Sequence, residues 1–313
     1  MPDTPPAATR LPLDARAAGT MALLTAVWGM QQVAIKLAAP TVPLVMQASI
    51  RSAVATALVV AWARSRGIAL VARDGTLAPG LAAGLLFGAE FGFIYAGLAH
   101  TTAARMVVLL YLAPCFTALG LAWLVPGEHL AARQWIGIGV AFAGTAFAFA
   151  DGFAAPGRPT LGGDAMAILA AVLWAATTVL IRASSLARAS ATKVLAYQLA
   201  VSAAMLAAAS LALGESWSVD PAPVAWASLA FQAVVVAFAS YLAWFWLLTR
   251  YLASRLSVFS FATPLFGVAF AHLVLGEAIS GRFALAALLV AAGIALVNAG
   301  APSAGVPRGR AAR

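Results

Sequence analysis

Glu90 stands in the middle of the apolar run GAEFGFIYAG. An ionised carboxylate at the centre of a bilayer costs at least about 2.5–3.5 kcal/mol unless it is hydrated or paired. Two roles would justify that cost. One is a cavity carboxylate that attracts an ammonium group or carries a proton. The other is a structural ion pair with Arg51, the only other charge deep in an apolar run. Ser240, the equivalent position 150 residues later, is uncharged. That lopsided arrangement suits a zwitterion or a cation better than a phosphate.

A second group of polar residues has helical spacing. Trp28, Gln31, Gln32 and Ile35 fall at i, i+3, i+4 and i+7, which is one helix face. Trp174, Thr177, Thr178 and Ile181 repeat the pattern. Polar side chains inside hydrocarbon should face protein or a watery cavity. They could line a substrate path, with amide and hydroxyl groups bonding a polar solute and the indoles packing its apolar part. They could equally join neighbouring helices, and threonine can bond its own helix carbonyls. Tyr95, Tyr111, Tyr241, Trp244 and Phe261 are candidates for an aromatic wall or for stacking on a cation. Packing and the interfacial aromatic belt are the competing explanations. Pro114 and Pro264 sit within apolar runs, so each is a candidate hinge or a static kink.

The elements that must position these residues follow from composition. The chain has 313 residues, 63% hydrophobic and 9% charged. A soluble domain carries about 25% charged residues, so the class is an all-α polytopic membrane protein. The net charge of +9 is scattered at the ends of apolar runs and is no nucleic-acid footprint. One cysteine, Cys115, allows neither an intrachain disulfide nor a cysteine-rich metal site.

A span needs about 20 apolar residues, and ten are expected, near 18–38, 42–63, 77–98, 102–125, 133–150, 164–182, 191–213, 222–248, 254–275 and 281–300. With the N-terminus cytoplasmic, 14 basic residues fall inside and 4 outside, which orients the chain by the positive-inside rule. Both termini are then cytoplasmic.

The chain also repeats itself. WGMQQVAIK (Trp28 to Lys36) and WAATTVLIR (Trp174 to Arg182) match at an offset of 146 residues. Arg105 matches Arg255 and Pro114 matches Pro264 at 150, and Gly127-Glu128 matches Gly276-Glu277 at 149. Five spans per half is an odd number, so the second half should be inserted upside down. The expected organisation is a disordered cytoplasmic tail (1–17), a first five-helix repeat (18–150), an external linker (151–163), a second, inverted five-helix repeat (164–300) and a basic cytoplasmic tail (301–313). Inverted repeats of transporters hold substrate near the midplane, in a central cavity between the halves.

These features together resemble the drug/metabolite transporter superfamily. Within it they are similar to the EamA-type exporters: ten spans in two halves, a Trp-Gly…Lys first helix, and Pro…Gly-Glu in the fourth and ninth spans. The resemblance covers residues 18 to 300. It implies cytoplasmic termini in a bacterial inner membrane, a cavity lined by spans 1, 3, 4, 6, 8 and 9, and a function such as amino-acid export. Aromatic or hydrophobic amino acids are the favoured substrates, and cationic drugs or other metabolites are the alternative. Where relatives carry small or Asn residues in the first helix, this chain has Met30 and Gln31.

A membrane-embedded enzyme is the remaining alternative, but enzyme signatures are absent. His100, His129 and His272 are far apart, and no Walker A, HExxH or dinucleotide fingerprint stands in a usable context. No catalytic residue, cofactor or metal is expected. The expected partners are a small-molecule substrate and the lipid bilayer, with no nucleic acid, and a monomer is compatible with this.

Overall fold

The computed structural model describes residues 14–124, 130–154, 159–217, 222–251, 256 and 258–299. They form α1 (Ala15–Ala38), α2 (Leu44–Ser65), α3 (Leu77–Gly97), α4 (Ala103–Leu110), α5 (Ala113–Leu124), α6 (Ala132–Ala154), α7 (Pro159–Ala183), α8 (Ala191–Ala212), α9 (Pro223–Ala230), α10 (Tyr241–Arg250), α11 (Ala262–Leu275) and α12 (Gly281–Ala299). A π-helical stretch, Phe231–Ser240, joins α9 to α10. No β-strand occurs among the described residues. Seven helices are long and apolar enough to cross a membrane, counting α4–α5 as one and Pro223–Trp244 as one. Helices α6, α11 and α12 fall outside that set.

Two boundaries differ from the sequence expectation. Asp14 caps α1 by accepting from the Ala17 amide at 2.7 Å, so helix begins inside the expected tail. Helix also covers Asp151–Ala154 and resumes at Pro159, within the expected linker. Proline is favoured at a first helical position, because its missing N–H has no intrahelical partner there. Residues 1–13 and 301–313, most of the two expected tails, lie outside the described residues.

Glycine sets the closest helix contacts. A Cβ at Gly80 would meet the Tyr197 ring at 2.6 Å, and one at Gly84 would meet Val201 Cβ at 2.5 Å. The stripe of small residues on α3 is therefore the seat of α8. Gly137 and Gly144 on α6 and Gly293 on α12 bring those two backbones together in the same way: a Cβ at any of them would lie 2.6–2.8 Å from a backbone atom across the interface.

Helix starts are tied across the molecule. The Glu215 carboxylate accepts from the Val45 and Met46 amides at 3.1 and 2.8 Å, at the start of α2. The Glu277 carboxylate accepts from the Ala103 and Ala104 amides at 2.8 and 3.0 Å, at the start of α4. Carboxylates suit these positions because the first amides of a helix are orphaned donors at the positive end of its dipole. This explains the Gly-Glu pair in the second half. Gly276 ends α11 with φ +67, and the next residue reaches α4. Its repeat mate, Gly127-Glu128, lies outside the described residues.

At the other end of the molecule, Lys193 of α8 donates to Asp74 at 2.7 Å, in the α2–α3 loop. That bond, with a second from Thr76, holds the Asp74 carboxyl down at about 2. A depressed folded value means the contact stabilises above the unfolded value of about 4 and is lost as pH falls toward 2. Asp74→Asn is therefore expected to lower the melting temperature at neutral pH. The gap to the parent protein should close between about pH 4 and 2. A gap independent of pH would assign the contact another role.

Candidate functional site

A cavity of about 740 Å³ lies between α1, α3, the α4–α5 break, α7 and α10. Its lining includes Trp28, Gln31, Gln32, Glu90, Tyr111, Pro114, Trp174, Thr177, Thr178, Tyr241 and Trp244. The matching faces of α1 and α7 thus both reach one space. The cavity runs to the end of the molecule where α7 stops, past Arg182, Leu186 and Ala191. Arg105, Asp164 and Glu277, at the opposite end, are not on its wall.

Glu90 is 5% exposed and sits on the wall. Among the described residues it makes no ion pair within 4.0 Å. Arg51 is off the wall and fully buried, its guanidinium 4.0 Å from the Phe91 ring centre. None of its three nitrogens has a hydrogen-bond partner among the described residues. Geometrically, then, the carboxylate faces the cavity and the arginine stands behind an aromatic ring.

The rings are arranged edge to face. Trp28 meets Trp244 with centroids 6.1 Å apart at 76°, and Tyr111 meets Trp174 at 5.4 Å and 88°. Trp28 Nε1 donates to Ser240 Oγ at 2.9 Å. Thr177 and Thr178 donate their hydroxyls to Leu173 O and Trp174 O at 2.9 and 3.0 Å. These donors are already engaged inside the protein, so the threonine oxygens present only lone pairs to the cavity. Gln32 Oε1 is buried without a partner among the described residues.

Two expected site residues stand elsewhere. Tyr95 is fully buried off the wall and donates to Gln232 Oε1 at 2.5 Å. Gln232 in turn donates to Gln47 Oε1 at 3.2 Å. Five residues along a helix is about 140° of rotation, so Tyr95 points away from Glu90. Ser240 is 3% exposed behind Trp28, and its hydroxyl donates to Val236 O at 2.5 Å. The π-helical stretch ends at Ser240. Its i→i+5 bonding adds a residue per turn, so side chains beyond it lose register with α3. Tyr241 and Trp244 reach the wall instead. The side chain of Phe261 lies outside the described residues.

Tyr95→Phe removes the only hydroxyl that Gln232 Oε1 is shown to accept from. Leaving a buried acceptor unpaired costs about 1–3 kcal/mol. Thermal melting should register that loss, while transport by the folded fraction should stay near the parent value; a change in substrate affinity would instead put Tyr95 in contact with substrate.

Both prolines stand just after a break rather than inside an unbroken helix. Pro114 is the second residue of α5, after the turn at Tyr111-Leu112, and lines the cavity. Pro264 is the third residue of α11, after a 3₁₀ turn at Val258–Phe261, and is buried off the wall. A proline in a first turn deletes no helix bond.

Sequence reasoning passed over Arg182, Gln198, Phe87 and Phe91, all of which line the cavity. Gln198 had a signal available, since it matches Gln47 at an offset of 151.

Comparison with known proteins accounts for both halves. Residues 16–150 match the EamA-like transporter family, and residues 161–299 match it a second time. The chain belongs to the EamA-like transporter family. Its place is thus in the drug/metabolite transporter superfamily, as an integral membrane protein with apolar helices. An uncharacterized transporter of Archaeoglobus fulgidus is 28% identical over 211 residues, covering 67% of this chain and 71% of the relative. The uncharacterized transporter YvbV of Bacillus subtilis strain 168 is 26% identical over 288 residues, covering 90% and 92%. One solved crystal structure, described only as that of a protein, shares the fold with a TM-score of 0.65 at 23% identity, over 90% of this chain and 97% of the other.

Proposed function

We propose that this EamA-family chain is a secondary transporter exporting small amine-bearing metabolites, foremost amino acids with aromatic or hydrophobic side chains. The observation that carries the reading is Glu90: a carboxylate that makes no ion pair within 4.0 Å among the described residues, on a cavity wall it shares with Trp28, Tyr111, Trp174, Tyr241 and Trp244. An ammonium group would find there a counter-charge and ring faces. The threonine oxygens add acceptors for its N–H groups. The aromatic pairs offer an apolar surface for a hydrophobic side chain.

Alternating access is the proposed mechanism, with ten crossings in two inverted halves. That count requires α6, α11 and α12 to cross as well. It is supported by the paired contacts: α3 packs on α7 as α1 packs on α9, and α1 packs on α11 as α7 packs on α4 and α5. Each pair exchanges one half's helix for its equivalent in the other. We assign the Arg182 end to the cytoplasm, as the positive-inside count asks, in a bacterial inner membrane with both termini inside. Pro114 and Pro264 are the proposed hinge points, because each follows a break where helix direction can change without losing a bond.

The test is uptake of a labelled amino-acid panel into proteoliposomes, with and without a pH gradient. Aromatic and branched amino acids are expected to move, and acidic ones are not. Movement of tetraphenylphosphonium but of no amino acid would replace the substrate class by lipophilic cations. Dependence on the gradient would identify proton coupling, and indifference to it facilitated diffusion.

A further inference from the structure

The closed end of the cavity is held by a buried ion pair. Arg105 Nε lies 3.1 Å from both oxygens of Asp164, and its Nη2 makes the closest contact with Oδ2. Nη2 also donates to Ala148 O at 2.6 Å. Thr101 Oγ1 donates to Asp164 Oδ1 at 2.7 Å. Arg105 is 5% exposed, Asp164 0% and Thr101 5%. This one cluster joins the α3–α4 turn, α4, α6 and α7, and Glu277 holds the α11–α12 link to α4 beside it.

The open end carries a related arrangement. Tyr251 donates its hydroxyl to Asp14 Oδ2 at 2.9 Å. Tyr251 stands 150 residues after Thr101, the offset that also relates Pro264 to Pro114. Asp14 precedes Trp28 by 14 residues and Asp164 precedes Trp174 by 10. The two aspartates therefore belong to the same face of equivalent helices, one turn apart. Each end thus has a hydroxyl from the second-half or first-half turn bonded to an aspartate at the start of the other half's first helix. The cavity lining stops short of the end holding the arginine pair and reaches the end holding the Tyr251–Asp14 bond; Arg255, the repeat mate of Arg105, lies outside the described residues.

We infer that Arg105, Asp164 and Thr101 form a latch that must release for the cavity to open at the end they hold. The inference rests on the alternating-access reading above. The latch is a charge pair for a physical reason. Separated and hydrated on opening, both ions regain solvation, so the closed and open states stay near in energy. An apolar plug would hold only one.

The test is cysteine accessibility, which needs no substrate. Cys115 is buried, and Cys115→Ala gives a thiol-free background for a reporter at Thr178, on the cavity wall. A membrane-impermeant thiosulfonate is added to one face of the membrane or the other. In Arg105→Gln and Asp164→Asn, labelling from the Arg105 end is expected to rise on the order of tenfold and labelling from the Arg182 end to fall. Parent rates from both faces in folded, monodisperse Arg105→Gln and Asp164→Asn would reduce the pair to a structural bond and overturn the inference. Should both variants aggregate, Thr101→Val decides: a smaller rise from the same face supports the latch, and no change overturns it. Labelling from a single face in every variant would instead sink alternating access itself.

Discussion

Glu90→Gln is expected to cut transport of amine-bearing substrates by roughly ten- to a hundredfold, because a charge-assisted hydrogen bond contributes about 1.5–3 kcal/mol. The substitution keeps the side chain's shape and removes its charge. The loss should appear as a raised KM for uptake, since the carboxylate meets the ammonium in the bound state. It should spare any uncharged aromatic solute that the cavity admits. A second effect concerns Arg51, which is fully buried with no hydrogen-bond partner among the described residues and, like Glu90, lies deep in an apolar run. Removing the negative charge leaves that cation uncompensated, and an unpaired buried charge is strongly destabilising. The single variant should therefore also melt earlier. Arg51→Met combined with Glu90→Gln should recover the melting temperature and not the transport. Recovery of both would mean that Glu90 serves only to neutralise Arg51. Wild-type uptake by Glu90→Gln would remove the carboxylate from the substrate site.

Gly293→Val should leave little folded protein. A Cβ at Gly293 would lie 2.6 Å from both Ala141 N and Gly137 O and 2.7 Å from Ala141 Cβ. Two of those three atoms are backbone of α6, so no rotamer change relieves the clash, and the helices must separate. Overpacking of this kind costs about 1–3 kcal/mol and occasionally more. Here the cost spreads along the contact, because Gly137 and Gly144 use the same close approach. Within a membrane the loss is of packing itself, since lipid replaces the lost apolar neighbours at no penalty. Gly139→Ala is the control, on the partner helix α6. Its Cβ meets nothing within 4 Å, so the expected change is neutral or a gain of about 0.5–1 kcal/mol from helix propensity. Size-exclusion profiles and thermal melts in detergent measure both. Equal behaviour of the two variants would mean that the α6–α12 contact does not depend on glycine.

Hydropathy already marked the chain as an all-helical membrane protein, because a bilayer imposes one hydrogen-bonding solution on every crossing, and seven of its helices have the length and apolar character to cross. The family was equally legible, since both halves carry the repeat and both match the EamA-like family. The faces of α1 and α7 could be read because an unbroken α-helix keeps its period from Trp28 to Ile35 and from Trp174 to Ile181. Where the helix changes its period, the same reasoning lost the side chains. Ser240 was paired with Glu90 by counting residues, and the π-helical stretch turned it behind Trp28. Tyr95 shares α3 with Glu90, yet five residues carry it to the far side, where Gln232 and Gln47 complete a buried chain of hydrogen bonds.

Glu90 shows most directly where each kind of information stops. The sequence by itself determined that a carboxylate sits at mid-helix in an apolar run and that Arg51 is the one other charge at such depth. Those facts follow from order along the chain. Whether the two charges pair depends on how α2 and α3 are rotated against each other, and no periodicity within either helix states that. Only the tertiary structure decided it, placing Phe91 against the guanidinium and leaving Glu90 on the cavity wall. Rotation is settled by contacts such as Gly84 against Val201, made between residues more than a hundred positions apart.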